Sequence, residues 1–158
     1  NCAKTISELF ENLYPKLFNF FKGDRMNPKK FWQKQQGNII GKENEKRFYE
    51  AIALRKDLPQ WFESLLKPKD KSNLDENGVD FLVIIRRKPR VLFVQIKSSK
   101  RGVKNFKRTN RELGRSFSQP VFVFIIREEY YAEDIKDMFI RAIETAMKNG
   151  FPREISYV

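Results

Sequence analysis

The sequence predicts an α/β domain, a central mixed sheet flanked by helices, with a helical extension in front of it. Three observations carry this. Val79 to Ile85 and Val91 to Lys97 are rich in Val, Ile and Phe and are joined by a hairpin-length link, Arg86-Arg87-Lys88-Pro89. Val121 to Ile126 is a continuous apolar run, the mark of a strand covered on both faces. Between and around these runs the apolar residues recur at helical spacing.

In chain order, residues 1–36 read as the helical extension and 37–158 as the domain. Ile6, Leu9, Phe10, Leu13, Leu17 and Phe21 share one helical face, which Pro15 should kink. Gly37 and Gly41 are expected to bracket a loop, and a helix should follow from about Lys42 to Leu54 with Phe48, Tyr49 and Ile52 inward. A short helix is expected from Leu58 to Leu66, with Asp57 as N-cap and Pro59 in its first turn. Lys67 to Asn77 is polar and reads as a loop. After the hairpin, residues 103–115 carry helical periodicity. The strand-helix-strand order from Lys97 to Val121 implies a parallel pair. A last helix should run from Glu133 to Lys148, with Ile135, Met138, Phe139, Ala142 and Ala146 in the core and Gly150 as its stop. The tail, Glu154 to Val158, suits one more strand.

Composition narrows the chemistry. The 158 residues suit a single core, and no apolar run approaches the length of a membrane span. A net charge of +12 favours a polyanionic partner, nucleic acid being the commonest. The single cysteine, Cys2, has no internal partner, which points to a cytoplasmic, intracellular protein. Histidine is absent, so a Ser-His-Asp triad, a Cys-His pair and an ordinary zinc site are excluded. Catalysis must then use carboxylates, lysine or tyrosine, with a hard metal held by oxygen.

Side chains alternate along a strand, so Gln95 and Lys97 share one face while Leu92, Val94 and Ile96 share the other. Asp80 opens the preceding strand, where aspartate is disfavoured. Glu45 precedes Phe48, Tyr49 and Ile52 at helical spacing and so lies on an apolar stripe. Each residue has a plainer reading. Asp80 suits a turn, Glu45 suits a first-turn position favoured by the helix dipole, and Gln95 with Lys97 suits a solvated strand edge. Together, two acids, an amide and a lysine form a set able to hold Mg²⁺ (or Mn²⁺), activate water and neutralise charge on phosphorus.

Glu45, then Gly78-Val79-Asp80, then Gln95-Ile96-Lys97, in that order, resembles the PD-(D/E)xK nuclease superfamily over about residues 37–127. The Gln-x-Lys pattern is most similar to the branch that includes Mrr-type restriction endonucleases, and Glu45 on its helix is similar to that of archaeal Holliday-junction resolvases. The resemblance implies a restriction-endonuclease-like core and metal-dependent hydrolysis of DNA, in restriction, repair or recombination. Asp80 would ligate the metal, Gln95 would replace the usual acidic ligand, Lys97 would be the catalytic lysine and Glu45 would assist at the metal. Two departures stand: Val79 replaces the Pro of the family's name, and Gln95 removes one negative charge.

Lys100, Arg101, Lys104, Lys107, Arg108, Arg111 and Arg115 follow the motif, offset only by Glu112. On a helix, Lys104 to Arg115 would form one basic stripe opposite Phe106, Leu113 and Phe117, able to follow phosphates of double-stranded or branched DNA. Arg86, Arg87, Lys88 and Arg90 add to the basic residues. The N-terminal helices would pair two copies or position substrate. A non-catalytic DNA-binding or assembly protein on the same fold, and an RNA-directed nuclease, are the alternative readings.

Overall fold

The computed structural model describes residues 28–152 and 155–158. The expected helix over Ile6 to Phe21, and Cys2, lie outside them. The chain divides into two units, residues 1–39 and 40–158, and the elements below lie in the second unless stated.

Helix α1 spans Pro28–Ala53 and begins in the first unit. It is followed by β1 (Phe62–Leu66), the single-turn α2 (Asn73–Glu76), β2 (Phe81–Ile85) and β3 (Val91–Lys97). Then come α3 (Lys100–Glu112), β4 (Val121–Ile125), α4 (Ala132–Asn149) and β5 (Ser156–Tyr157). The five strands lie in sequence order. β1 and β2, and β2 and β3, pair antiparallel, whereas β3–β4 and β4–β5 are parallel. The sheet is therefore mixed, with its β3–β4 parallel pair made by the crossover through α3.

Two expectations are corrected. Gly37 and Gly41 lie inside α1, not in a loop. Each costs a helix roughly 1 kcal/mol relative to alanine, too little to interrupt one this long. Phe62–Leu66 is a strand, not the end of a helix. Its apolar spacing and Asp57-Leu58-Pro59 start satisfy local helix rules, but pairing with β2 offers backbone hydrogen bonds and burial for Leu65 that a local helix would lack. Asp57 caps nothing there; it accepts a hydrogen bond from Lys136 Nζ at 2.7 Å, which holds its carboxyl below the usual range. The polar run after β1 contains α2, capped by Ser72 Oγ, which accepts from Asp75 N–H at 3.3 Å.

The sheet has a face for each helix layer. Phe48 and Ile52 of α1 and Ile135, Phe139 and Ile143 of α4 pack on Phe81, Val83, Leu92, Val94, Phe122 and Phe124. On the other face Val103 of α3 meets Val79, Phe93, Val121 and Val123, with Leu74, Phe106 and Phe117 at its margin. The expected α4 stripe holds, with Met138 and Ala142 at the edge of the core and Ile143 added to its centre. Among the described residues, no helix is long and apolar enough to cross a membrane.

Candidate active site at one end of the sheet

The strand directions bring specific termini together. Because Phe81 pairs with Val94 and Leu66 with Leu82, the end of β1, the start of β2 and the end of β3 lie at one end of the sheet. Asp80, Gln95, Lys97 and Lys67 are placed there by register alone.

Asp80 stands just before β2, its N–H donating to Val94 O at 2.9 Å. Its Oδ2 accepts the Ile96 N–H at 2.6 Å and the Gln95 amide Nε2. Gln95 is not an edge residue: β3 is the central strand, and Gln95 is 3% exposed. Its Nε2 also donates to Ile96 O at 3.1 Å, whereas its Oε1 is buried with no hydrogen-bond partner. Two oxygens, Asp80 Oδ2 and Ile96 O, thus converge on one amide nitrogen. A half-turn of that amide would aim a third oxygen at the same point, an arrangement of oxygens that suits a hard cation.

Gly78 backs this cluster. Its φ of +81° is strained for any other L-residue, and a Cβ there would stand 3.1 Å from Gln95 Oε1 and 3.1 Å from the Phe106 ring. The aspartate is therefore delivered through a turn that only glycine fills without strain.

Lys97 is half-buried, its Nζ 5.3 Å from the centre of the Phe106 ring. Burial pulls its pKa down, against the pull of Asp80 and Glu45 upward. Burial pushes Asp80 the other way, to about 7; the Ile96 hydrogen bond opposes this, the negative Glu45 adds to it, and Lys97 and Lys67 oppose it. The charge of Glu45, on helix α1, thus acts on both Asp80 and Lys97. The half-buried Glu45 pairs with Lys67 Nζ at 3.7 Å.

Lys67 is the site residue that motif reading misses. Its Nζ also lies 5.4 Å from the Phe81 ring centre. Reading Phe62–Leu66 as a strand would have placed the next residue at this sheet end. The Ile96 carbonyl is missed for another reason: a backbone oxygen has no signature in residue type.

Neighbouring groups hold α1 in place. Asn44, 4% exposed, donates through Nδ2 to Ile126 O at 3.1 Å. Arg47 donates to Asn44 Oδ1 at 3.2 Å, to Arg127 O at 3.1 Å and to Tyr130 O. These bonds tie the turn that carries Glu45 to the chain leaving β4.

Helix α3 starts three residues after Lys97, with Ser99 Oγ accepting from Gly102 N–H at 3.2 Å. Lys100, Arg101, Lys104, Arg108 and Arg111 are exposed and occupy roughly 100° of the helix circumference. Arg115 is not part of that stripe, and Leu113 does not face the core: α3 ends at Glu112, Leu113 is 59% exposed, and Arg115 follows Gly114 at φ +60°. The hairpin cations Arg86, Arg87, Lys88 and Arg90 lie at the opposite end of the sheet from Lys97.

As a metal centre, Asp80, Glu45, Gln95 and the Ile96 carbonyl offer only oxygen, which suits Mg²⁺ or Mn²⁺. Among the described residues no three His, Cys, Asp or Glu stand together, so such a centre would depend on its neutral oxygens. Comparison of the chain with protein-family models, with curated proteins and with solved structures finds no match.

Proposed function

We propose that the chain is a divalent-metal-dependent endonuclease that hydrolyses DNA phosphodiester bonds on a restriction-endonuclease-like core. The observation that carries this reading is the convergence of Asp80 Oδ2 and Ile96 O on the Gln95 amide, beside a half-buried Lys97. Asp80, Gln95, Glu45 and the Ile96 carbonyl would hold Mg²⁺ or Mn²⁺. When bound, the metal would lower the pKa of a coordinated water and polarise the phosphate.

The side chains do the rest. Lys97, its pKa lowered by burial, exchanges a proton nearer neutrality than a surface lysine and orients the attacking water or meets charge developing on phosphorus. Lys67 balances Glu45 and Asp80 until substrate and metal enter. The exposed cations of α3 hold the backbone without reading bases. The sequence also allows two copies to pair for cutting both strands, with residues 1–36 as the pairing or substrate-positioning segment.

One observation favours a second reading. The Gln95 amide presents nitrogen, not oxygen, to Asp80, which a metal-free DNA-binding module would also do.

Cleavage of plasmid, linear duplex, branched DNA and RNA, with and without Mg²⁺ or Mn²⁺, decides between them. The nuclease reading expects metal-dependent cleavage of DNA that Asp80→Ala and Lys97→Ala each reduce by at least about 10³-fold. Tight, salt-dependent binding with no cleavage of any substrate would establish the second reading instead. Cleavage confined to RNA would transfer the site to that substrate.

A further inference from the structure

At the opposite end of α3 from Lys97 lies a cavity of about 450 Å³. Lys107, Arg111 and Arg115 bring three cations to it, and among the described residues no carboxylate lines it. Neither Arg111 nor Arg115 is paired with a carboxylate among the described residues. Ser116 and Gln119 add polar side chains to the wall, and Phe117 adds an aromatic ring. Asn110 also lines it: the residue is 3% exposed, its Nδ2 donates to Phe106 O at 2.8 Å, and its Oδ1 has no partner.

The cavity meets the exposed stripe only at Arg111. The end of α3 at Glu112 and the turn at Gly114 bring Arg115 to the concave side with Lys107, while Arg101, Lys104 and Arg108 stay outside. A concave, polar site with positive charge concentrated in it suits a compact anion with several acceptor oxygens. Val121 lines the cavity and pairs with Phe93, so the cavity opens near the hairpin end of β3, four residues before Lys97. At about 3.3 Å per strand residue that separation is roughly 13 Å, or about four nucleotides at 3.4 Å per phosphate of one strand.

We propose that this cavity is a phosphate-anchoring subsite that holds a phosphate of the nucleic-acid strand about four nucleotides from the bond at Lys97. The carrier of the phosphate rests on the nucleic-acid reading above, but the subsite does not rest on hydrolysis. The phosphate is either a strand's terminal monoester or an internal diester. A monoester, with up to two charges, matches Arg111 and Arg115 one for one.

The test is binding without divalent metal, so that it stands whether or not the protein cuts. Fluorescence anisotropy compares short duplexes that differ only in a terminal phosphate or hydroxyl, over a salt series, with wild type, R111Q, R115Q and the control R101Q. Inorganic phosphate is titrated separately while the side-chain amide signals of Asn110 and Gln119 are followed by NMR, which also verifies that each variant is folded.

If the source is terminal, the phosphate strengthens wild-type binding about tenfold, R115Q removes that gain, and R101Q weakens both duplexes equally. If the source is internal, the terminal phosphate changes nothing, and R111Q and R115Q each lower the salt slope by about 0.9 while inorganic phosphate shifts the Asn110 and Gln119 amides. Folded R111Q and R115Q that bind like wild type at every salt concentration, with no phosphate-induced shift at those amides, would overturn the subsite.

Discussion

On the α1 and α4 face of the sheet, seventeen described residues form the buried cluster, and Phe48, Phe81, Phe124 and Phe139 are all fully enclosed within it. On the α3 face the buried cluster has six residues, four of them valine, and its margin is shared with Gln95, Lys97 and a strongly basic helix. Stability is concentrated where both covering helices are long and apolar on one side. The candidate site sits where one thin layer leaves polar groups half-buried at the sheet's end. Burial there is enough to shift Asp80 and Lys97 toward neutrality but not enough to close them from solvent.

The largest expected effect tests that division. The Phe139 ring lies within 6.2 Å, centre to centre, of Phe48, Trp61, Phe62 and Phe124. Phe139→Ala should cost about 3–5 kcal/mol. Val103→Ala, on the thin face, should cost about 1–2 kcal/mol. Denaturant unfolding measures both, and equal losses would show that the two faces support the fold alike.

The next effect is a pH dependence. Asp80 is raised from 3.8 to about 7 in the fold, chiefly by burial. Between those values the folded protein keeps a proton that the unfolded chain has released. Its contribution therefore stabilises fully below pH 3.8 and is lost as pH rises through about 7. Without metal, stability should fall across that window by an amount on the order of a few kcal/mol. Asp80→Asn should flatten the fall, and Mg²⁺ at pH 8 should restore wild type but not the variant. Melting temperatures in a chelator, with and without added Mg²⁺, measure this. A pH profile that Asp80→Asn leaves unchanged would refute the burial account.

What the sequence makes legible follows the same division between local and non-local causes. The hairpin, α3, β4 and α4 announce themselves because each has its own periodicity and stop signals, and register then puts Asp80, Gln95 and Lys97 at one end. Phe62–Leu66 is misread because Leu58, Trp61, Phe62 and Leu65 fit a helix locally, and only pairing with β2 makes them a strand. That one error hides Lys67. The direction of the Gln95 amide is likewise absent from the sequence. It depends on which of its two ends faces Asp80, and both have the same size and shape.

Gln95→Glu sharpens the point. A carboxylate in place of the amide removes a donor that Asp80 Oδ2 and Ile96 O both use and sets a second negative charge beside a buried one. In the metal-free protein it should cost about 1–3 kcal/mol at neutral pH. With Mg²⁺ present the same charge becomes favourable, so metal affinity, read by calorimetry, should rise about tenfold. Loss of stability without a gain in affinity would mean that Gln95 is a structural donor to Asp80 and not a metal ligand.

The smallest expected effect lies on the outer surface of α3, where charge is exposed and screened. Arg101 and Arg108 are both solvent-facing, but Arg108 already has Glu112 at 3.7 Å. Such an exposed pair adds at most about 1 kcal/mol, yet a phosphate must compete with it, whereas Arg101 has no carboxylate partner to displace among the described residues. If this face follows the DNA backbone, Arg101→Gln should reduce the slope of log affinity against log salt by about 0.9, and Arg108→Gln by less. Neither should change melting temperature by more than about 1–2 °C. Titration at several salt concentrations separates them. Equal slopes for wild type and both variants would move the DNA path off this face of α3, leaving the concave cluster around Arg115 to be judged by itself.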